Sequence, residues 1–187
     1  MDFVADGVKL TPGGRLPRTV VRSMQQHRPH WYPLDRPASI EDDLPPLGAL
    51  HDLMRRVGLL RLSRGVLTPT RAASDDLAVV RRLRTAFDAH SFSTEITELT
   101  IGVLAAHGPL PLSELAARVL PLLEYGWQLD GQSLTADDVR SAIARQSPIL
   151  NGLDLIDHAD WRVWALGPAA LSLLPGATRL AEIWTNE

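Results

Sequence analysis

Twice along this 187-residue chain a stripe of apolar residues at helical spacing runs into two short apolar segments joined by turn residues. The first passage has Leu47, Leu50, Met54 and Val57 as its stripe, with Leu53 widening it and Gly58 ending it. Leu59-Leu60-Arg61-Leu62 and Val66-Leu67-Thr68 then flank Ser63-Arg64-Gly65, and Pro69 stops the pair. Apolar residues three and four apart share a helix face, whereas short apolar runs around a Gly-containing turn make a hairpin. The second passage carries Val139, Ile143 and Ile149-Leu150. Leu155-Ile156-Asp157 and Arg162-Val163-Trp164-Ala165-Leu166 follow, and Gly167-Pro168 stops them. A helix followed at once by a hairpin is the order of a recognition-like helix and its wing. The expected fold is therefore mainly α with short β-hairpins, as tandem winged-helix-like modules over 1–90 and 91–187, with hairpins near 59–68 and 155–166.

The other segments fit around these passages. Asp6-Gly7 turns the chain into a short strand, Val8-Lys9-Leu10, which Thr11-Pro12-Gly13-Gly14 stops. Leu16, Val20, Val21 and Met24 predict a helix over 17–26, with Pro17 in its first turn. Between His27 and Pro46, residues Pro29, Pro33, Pro37, Pro45 and Pro46 bar a long helix or a central strand. That stretch reads as an ordered connection that buries Trp31, Tyr32 and Leu34, with an aromatic-lined ligand groove as the alternative. Asp42 and Asp43 are expected at the electropositive start of the helix that Pro45-Pro46 open. Residues 74–89 predict a helix capped by Ser74, with Leu77, Val80, Leu83, Ala86 and Phe87 inward and Arg81, Arg82 and Arg84 outward. It is expected to pack between the modules.

In the second half, Leu99, Val103 and Leu104 stripe a helix that stops before Gly108-Pro109. Another, marked by Leu112, Leu115, Ala116 and Val119, starts near Ser113-Glu114, and 121–134 form a longer connection. Thr135 with Asp138 makes an acidic form of the capping box, and Leu134 with Val139 can staple that helix start. A closing helix near 168–174 and a segment with Leu180, Ile183 and Trp184 end the chain. Gly7–Pro12 and Gly65–Pro69 share their wording, which favours repeated wings.

Net charge is only −3, but it is unevenly placed. Residues 51–84 hold eight arginines against three aspartates, while residues 85–187 hold five basic groups against thirteen acidic ones. Affinity for phosphate follows the local field rather than the total. Two accounts stay open: a basic binding face, or a solvated surface in a chain that uses arginine for nearly every cation. There is no cysteine, so disulfides, thiol nucleophiles and thiolate metal sites are excluded. The opening MDFVADGVKL has neither the basic start nor the apolar core of a signal peptide, and no apolar run is long enough to span a bilayer. Cytoplasmic residence without a membrane partner is expected.

The search for chemistry returns little. His27 and His30 share a loop without an acidic or histidine partner at metal-site spacing, and His51, His90, His107 and His158 are isolated in sequence. Asp42-Asp43, Asp75-Asp76 and Asp137-Asp138 precede or open helices, where carboxylates offset the positive end of the helix dipole. Thr11-Pro12-Gly13-Gly14 lacks the lysine of a phosphate loop, and neither a GxSxG elbow nor an HExxH helix occurs. No catalytic residue, metal site or cofactor is expected, and the chain does not read as an enzyme.

The words Leu10-Thr11-Pro12-Gly13-Gly14-Arg15-Leu16-Pro17, Trp31-Tyr32-Pro33-Leu34-Asp35-Arg36-Pro37 and Glu41-Asp42-Asp43-Leu44-Pro45-Pro46-Leu47 carry a resemblance, together with Gly58-Leu59-Leu60-Arg61 and Gly65-Val66-Leu67-Thr68-Pro69. The chain resembles poorly characterised actinobacterial winged-helix-like proteins, some of whose segments are attached to domains of the plasmid pRiA4b ORF-3-like group. The resemblance extends to about residue 175. It implies a helix placed in a DNA groove beside a wing. On this chain those positions are His51, Arg55 and Arg56 on the helix and Arg61 and Arg64 on the wing. The second helix offers Arg140, Arg145 and Gln146 in an acidic setting. Two partner classes follow: double-stranded DNA at a basic face, or a protein partner or second copy at an exposed apolar patch around Trp31, Tyr32, Trp127 or Trp184.

Overall fold

In the computed structural model, which describes residues 6–177 other than 33, 35, 89, 124–126 and 161, the chain is mainly helical with small antiparallel sheets. It divides into two units, Met1–Ala86 and Phe87–Glu187.

The first unit runs β1 (Val8–Lys9), α1 (Arg18–His27), α2 (Pro45–Arg56), β2 (Leu60–Ser63), β3 (Val66–Pro69) and α3 (Asp76–Arg84). Its strands lie in the order β1-β3-β2, all antiparallel. Val8 faces Leu67 and Lys9 faces Val66. The two segments of shared wording are thus partners in one sheet and not repeated wings. Both need a short apolar strand with turn residues at its ends. Val8, Leu10, Leu16, Val21, Trp31, Tyr32, Leu44, Leu47, Leu60 and Leu67 form the core beneath them, with Val20, Met24, Leu50 and Met54 packed against it. Burying each such leucine or valine contributes about 1.5–3 kcal/mol, so these side chains fix which faces of α1 and α2 turn inward.

The described residues of the proline-rich connection pack against the core, with Trp31 and Tyr32 buried as expected. Gln25 of α1 clamps it: Nε2 donates to the Arg36 carbonyl at 3.0 Å, and Oε1 accepts from the Ala38 amide at 2.8 Å. Leu34 departs from expectation and is 53% exposed, the apolar space being filled by Trp31 and Tyr32. Asp42 and Asp43 do not cap α2. They belong to a separate 3-10 turn, Glu41–Asp43, where Asp43 accepts from the Ser39 and Ile40 amides and Asp42 pairs with Arg15 at 3.2 Å. Pro45 and Pro46 need no such cap, because proline brings no amide to the first turn. Asp75, not Ser74, caps α3, accepting from the Leu77 and Ala78 amides. The longer helix expected over 74–89 ends at Arg84, and Leu77 is 70% exposed while Leu83 is buried.

The second unit runs α4 (Phe92–His107), β4 (Leu110–Pro111), α5 (Leu112–Leu123), β5 (Gln128–Leu129), β6 (Gln132–Ser133), α6 (Ala136–Gly152), β7 (Ile156–Asp160), β8 (Val163–Leu166) and α7 (Ala170–Leu173). α4, α5 and α6 pack on one another, and β4-β8-β7 form an antiparallel sheet. α5 continues past the expected break at Pro121, and burial of Leu123 holds its last turn in place. The Thr135 capping box forms as read: Asp138 N donates to Thr135 Oγ1 at 3.2 Å, and Thr135 N donates to Asp138 Oδ2 at 2.9 Å. The segment with Leu180, Ile183 and Trp184 lies outside the described residues.

The two units share a core order of strand, helix, connection, helix and hairpin, each with its first strand against its third. The helix-to-hairpin corner repeats atom for atom. Leu59 N donates to Met54 O at 2.8 Å and Gly58 N to Arg55 O at 3.1 Å. Leu155 N donates to Leu150 O at 2.9 Å and Asp154 N to Asn151 O at 3.1 Å. This is the Schellman pattern, which needs a left-handed residue after the helix. Gly58 supplies it with φ 70° and Asp154 with φ 53°.

Candidate nucleic-acid interface

The corner at Gly58 sets where the arginines of the first unit stand. Arg55 and Arg56 are the last residues of α2, and both are exposed. Positive charge there suits the electronegative end of the helix. Arg82 from α3 reaches the same end, its Nη1 donating to the Val57 carbonyl at 2.9 Å and to the Gly58 carbonyl at 3.2 Å. Arg82 is therefore committed to the fold, a role that its sequence position among Arg81 and Arg84 does not disclose.

Two residues beyond the corner the hairpin begins. Ser63 pairs with Val66, so Arg64 and Gly65 alone make its turn. Their φ values, 50° and 76°, are both left-handed, as a two-residue turn with the twist of its flanking strands requires. Arg61 and Arg64 are exposed on strand and tip. Among the described residues, the guanidinium groups of Arg55, Arg56, Arg61 and Arg64 make no ion pair or hydrogen bond, although the Arg61 carbonyl accepts from Thr68 Oγ1 at 3.4 Å. The structure thus gathers these four on consecutive elements, the end of α2 and the hairpin that follows.

His51 does not join them. Its ring is buried, and Nδ1 lies 2.8 Å from Glu41 Oε1, while Glu41 Oε2 accepts the Leu16 amide at 2.7 Å. Burial alone would raise the Glu41 pKa. The hydrogen bonds from His51 and the Leu16 amide, with the charges of His51 and Arg15, outweigh it and leave the carboxyl below its ordinary value. His51 is one turn from both Leu47 and Met54, so its place on the buried stripe was readable from spacing. In the second unit Arg140 pairs with Asp137 at 3.1 Å on exposed ground.

A polar cavity of about 420 Å³ in the second unit was not anticipated from sequence. Phe87, Asp88, His90, Ser91, Glu95, Glu98 and Trp127 line it. Trp127 Nε1 donates to Glu95 Oε2 at 2.7 Å, and its ring meets Phe92 edge-on. Burial, then the charges of Glu95 and Asp88, raise the Glu98 pKa, with His90 opposing. Glu95 and Glu98 three apart on one helix were the available signal. Trp31 and Tyr32 are core residues and offer no exposed apolar patch. Among the described residues no cluster of metal-binding side chains occurs, and no helix is long and apolar enough to cross a membrane. The chain matches no family model, no curated protein and no solved structure.

Proposed function

We propose that the chain is a tandem winged-helix-like protein whose first unit binds double-stranded DNA through Arg55, Arg56, Arg61 and Arg64. Support for the winged-helix part comes from the strand–helix–connection–helix–hairpin order common to both units and from their shared strand order. Support for the DNA part comes chiefly from Arg64. The left-handed backbone at the tip of a two-residue hairpin favours glycine, asparagine or aspartate, and a long side chain there costs stability. The second unit follows that preference: Asp130 and Gly131, with φ 50° and 76°, turn β5 into β6. Arg64 stands where Asp130 stands in that turn of the same type, so a cation is held at the tip of the β2–β3 hairpin against local preference. Residues that break a local rule concentrate at functional sites.

The experiment separates stability from binding with one substitution. Arg64→Asn is expected to raise unfolding stability by about 0.5–1 kcal/mol, as asparagine suits the turn. The same change is expected to weaken binding to duplex DNA and lower the salt slope by about one unit, as loss of one phosphate contact does. Urea unfolding and fluorescence anisotropy with labelled duplex read the two effects. A variant that is stabilised yet binds as tightly as the parent, with the same slope, removes Arg64 from the interface.

A further inference from the structure

We infer that this DNA face does not read sequence: it grips the phosphates of the duplex and leaves the base edges unread. The inference rests on the proposal that the first unit binds DNA, and it specifies which feature of DNA is recognised. Reading a base edge takes a side chain with matched donors or acceptors: arginine or lysine for guanine, asparagine or glutamine for adenine, aspartate or glutamate for cytosine. Helices that read a groove in the helix-turn-helix manner present such residues from their N-terminal part. α2 has none there. Its first residues are Pro45, Pro46, Leu47, Gly48, Ala49 and Leu50. Pro46 and Leu47 are buried, and the accessible remainder carries no hydrogen-bonding side chain. His51, next in line, is turned into the core onto Glu41.

Asp52 is the first exposed polar residue of α2, and its carboxylate opposes phosphate. The arginines come only after it, at the C-terminal end of the helix and on the hairpin, outside the N-terminal part from which such helices read bases. Four cations so placed neutralise phosphates and orient the unit on a duplex, and such contacts carry no direct sequence information. Asp52 lies one turn before Arg55 and Arg56, beyond the N-terminal part of α2 from which such helices read bases, and its carboxylate weakens their field.

The test uses the full-length chain and labelled duplexes of equal length: alternating A·T, alternating G·C and several mixed sequences. Affinities are expected to agree within about threefold across the set, far below the gap between specific and non-specific binding. Asp52→Ala, which removes the charge without adding a base-reading group, is expected to tighten binding to every duplex by a common factor. A preference above about tenfold for one duplex, the discrimination of a single bidentate base contact, overturns the inference, as does an Asp52→Ala gain confined to one sequence. An A·T preference of that size assigns Arg64 to a narrow minor groove instead. No binding to any duplex at low salt by folded protein, checked by circular dichroism, rejects the DNA proposal itself and this inference with it.

Discussion

Replacing Gly167 by alanine is expected to destabilise the second unit by about 3 kcal/mol, near the upper end for inserting an atom into packed surroundings. Gly167 ends β8 where the strand returns to the corner after α6. Its amide donates to the Leu155 carbonyl at 2.9 Å, and the Asp154 carbonyl beside it accepts from Ala169 at 3.0 Å. A methyl group on Gly167 would overlap the Asp154 carbonyl oxygen and come within 2.7 Å of the Asp154 and Leu155 carbonyl carbons. Those atoms are backbone held by the helix cap and cannot rotate away as a side chain can. Gly13→Ala is the control, since a methyl there meets nothing within 4 Å. That substitution is expected to stay within about 0.5 kcal/mol of the parent. Urea unfolding of both variants checks the pair. Parent-like stability of Gly167→Ala would mean that β8 does not close on the corner as described.

Removing the Glu41 side chain is expected to have a comparable effect, a loss of about 3 kcal/mol, because each buried donor left without its acceptor costs about 1–3 kcal/mol. Glu41→Ala leaves the Leu16 amide and His51 Nδ1 without their acceptor in the core. His51 has no reserve, for Nε2 is also buried without a hydrogen-bond partner among the described residues. Glu41→Gln keeps an acceptor for Leu16 and is expected to cost about 1 kcal/mol, the worth of an ordinary hydrogen bond. The pH dependence has a definite sign. The folded Glu41 pKa lies below its ordinary value of 4.5. Its ionisation therefore stabilises the fold above that ordinary value, and the contribution is lost as pH falls below it through the folded pKa. Stability measured from neutral pH down to the acid range should fall less steeply for Glu41→Gln than for the parent. Identical acid limbs would show that Glu41 contributes no such linkage.

Features set by neighbours in sequence were legible beforehand. The Thr135–Asp138 box spans one helical turn, and the hairpin residues at 60–69 are bounded by Gly58 and Thr70, so local chemistry alone marks them. Asp154 hid the second corner, because aspartate does in αL what glycine advertises openly. Distance in sequence hid the rest. β1 pairs with β3 across more than half of the first unit, and Glu41 meets His51 across the turn that holds Pro45 and Pro46. The resemblance puts His51 on the DNA-facing helix, but its position on the α2 stripe turns it into the core against Glu41. Arg82 reads in sequence as one more outward cation, because the carbonyls it bonds lie at the end of a helix some 24 residues earlier. Of the five residues that the resemblance implies for the interface, the four arginines are exposed on adjoining elements.

The salt dependence of duplex affinity, for the parent and for Arg55→Ala/Arg56→Ala/Arg61→Ala/Arg64→Ala, tests the central claim most directly. Four phosphate contacts on B-form DNA release counterions with a slope of log affinity against log salt of about −3.6. The parent is expected to show a slope at least that steep. The quadruple variant, folded by circular dichroism, is expected to lose those units of slope and most of its low-salt affinity. An unchanged slope and affinity in the variant would contradict the account.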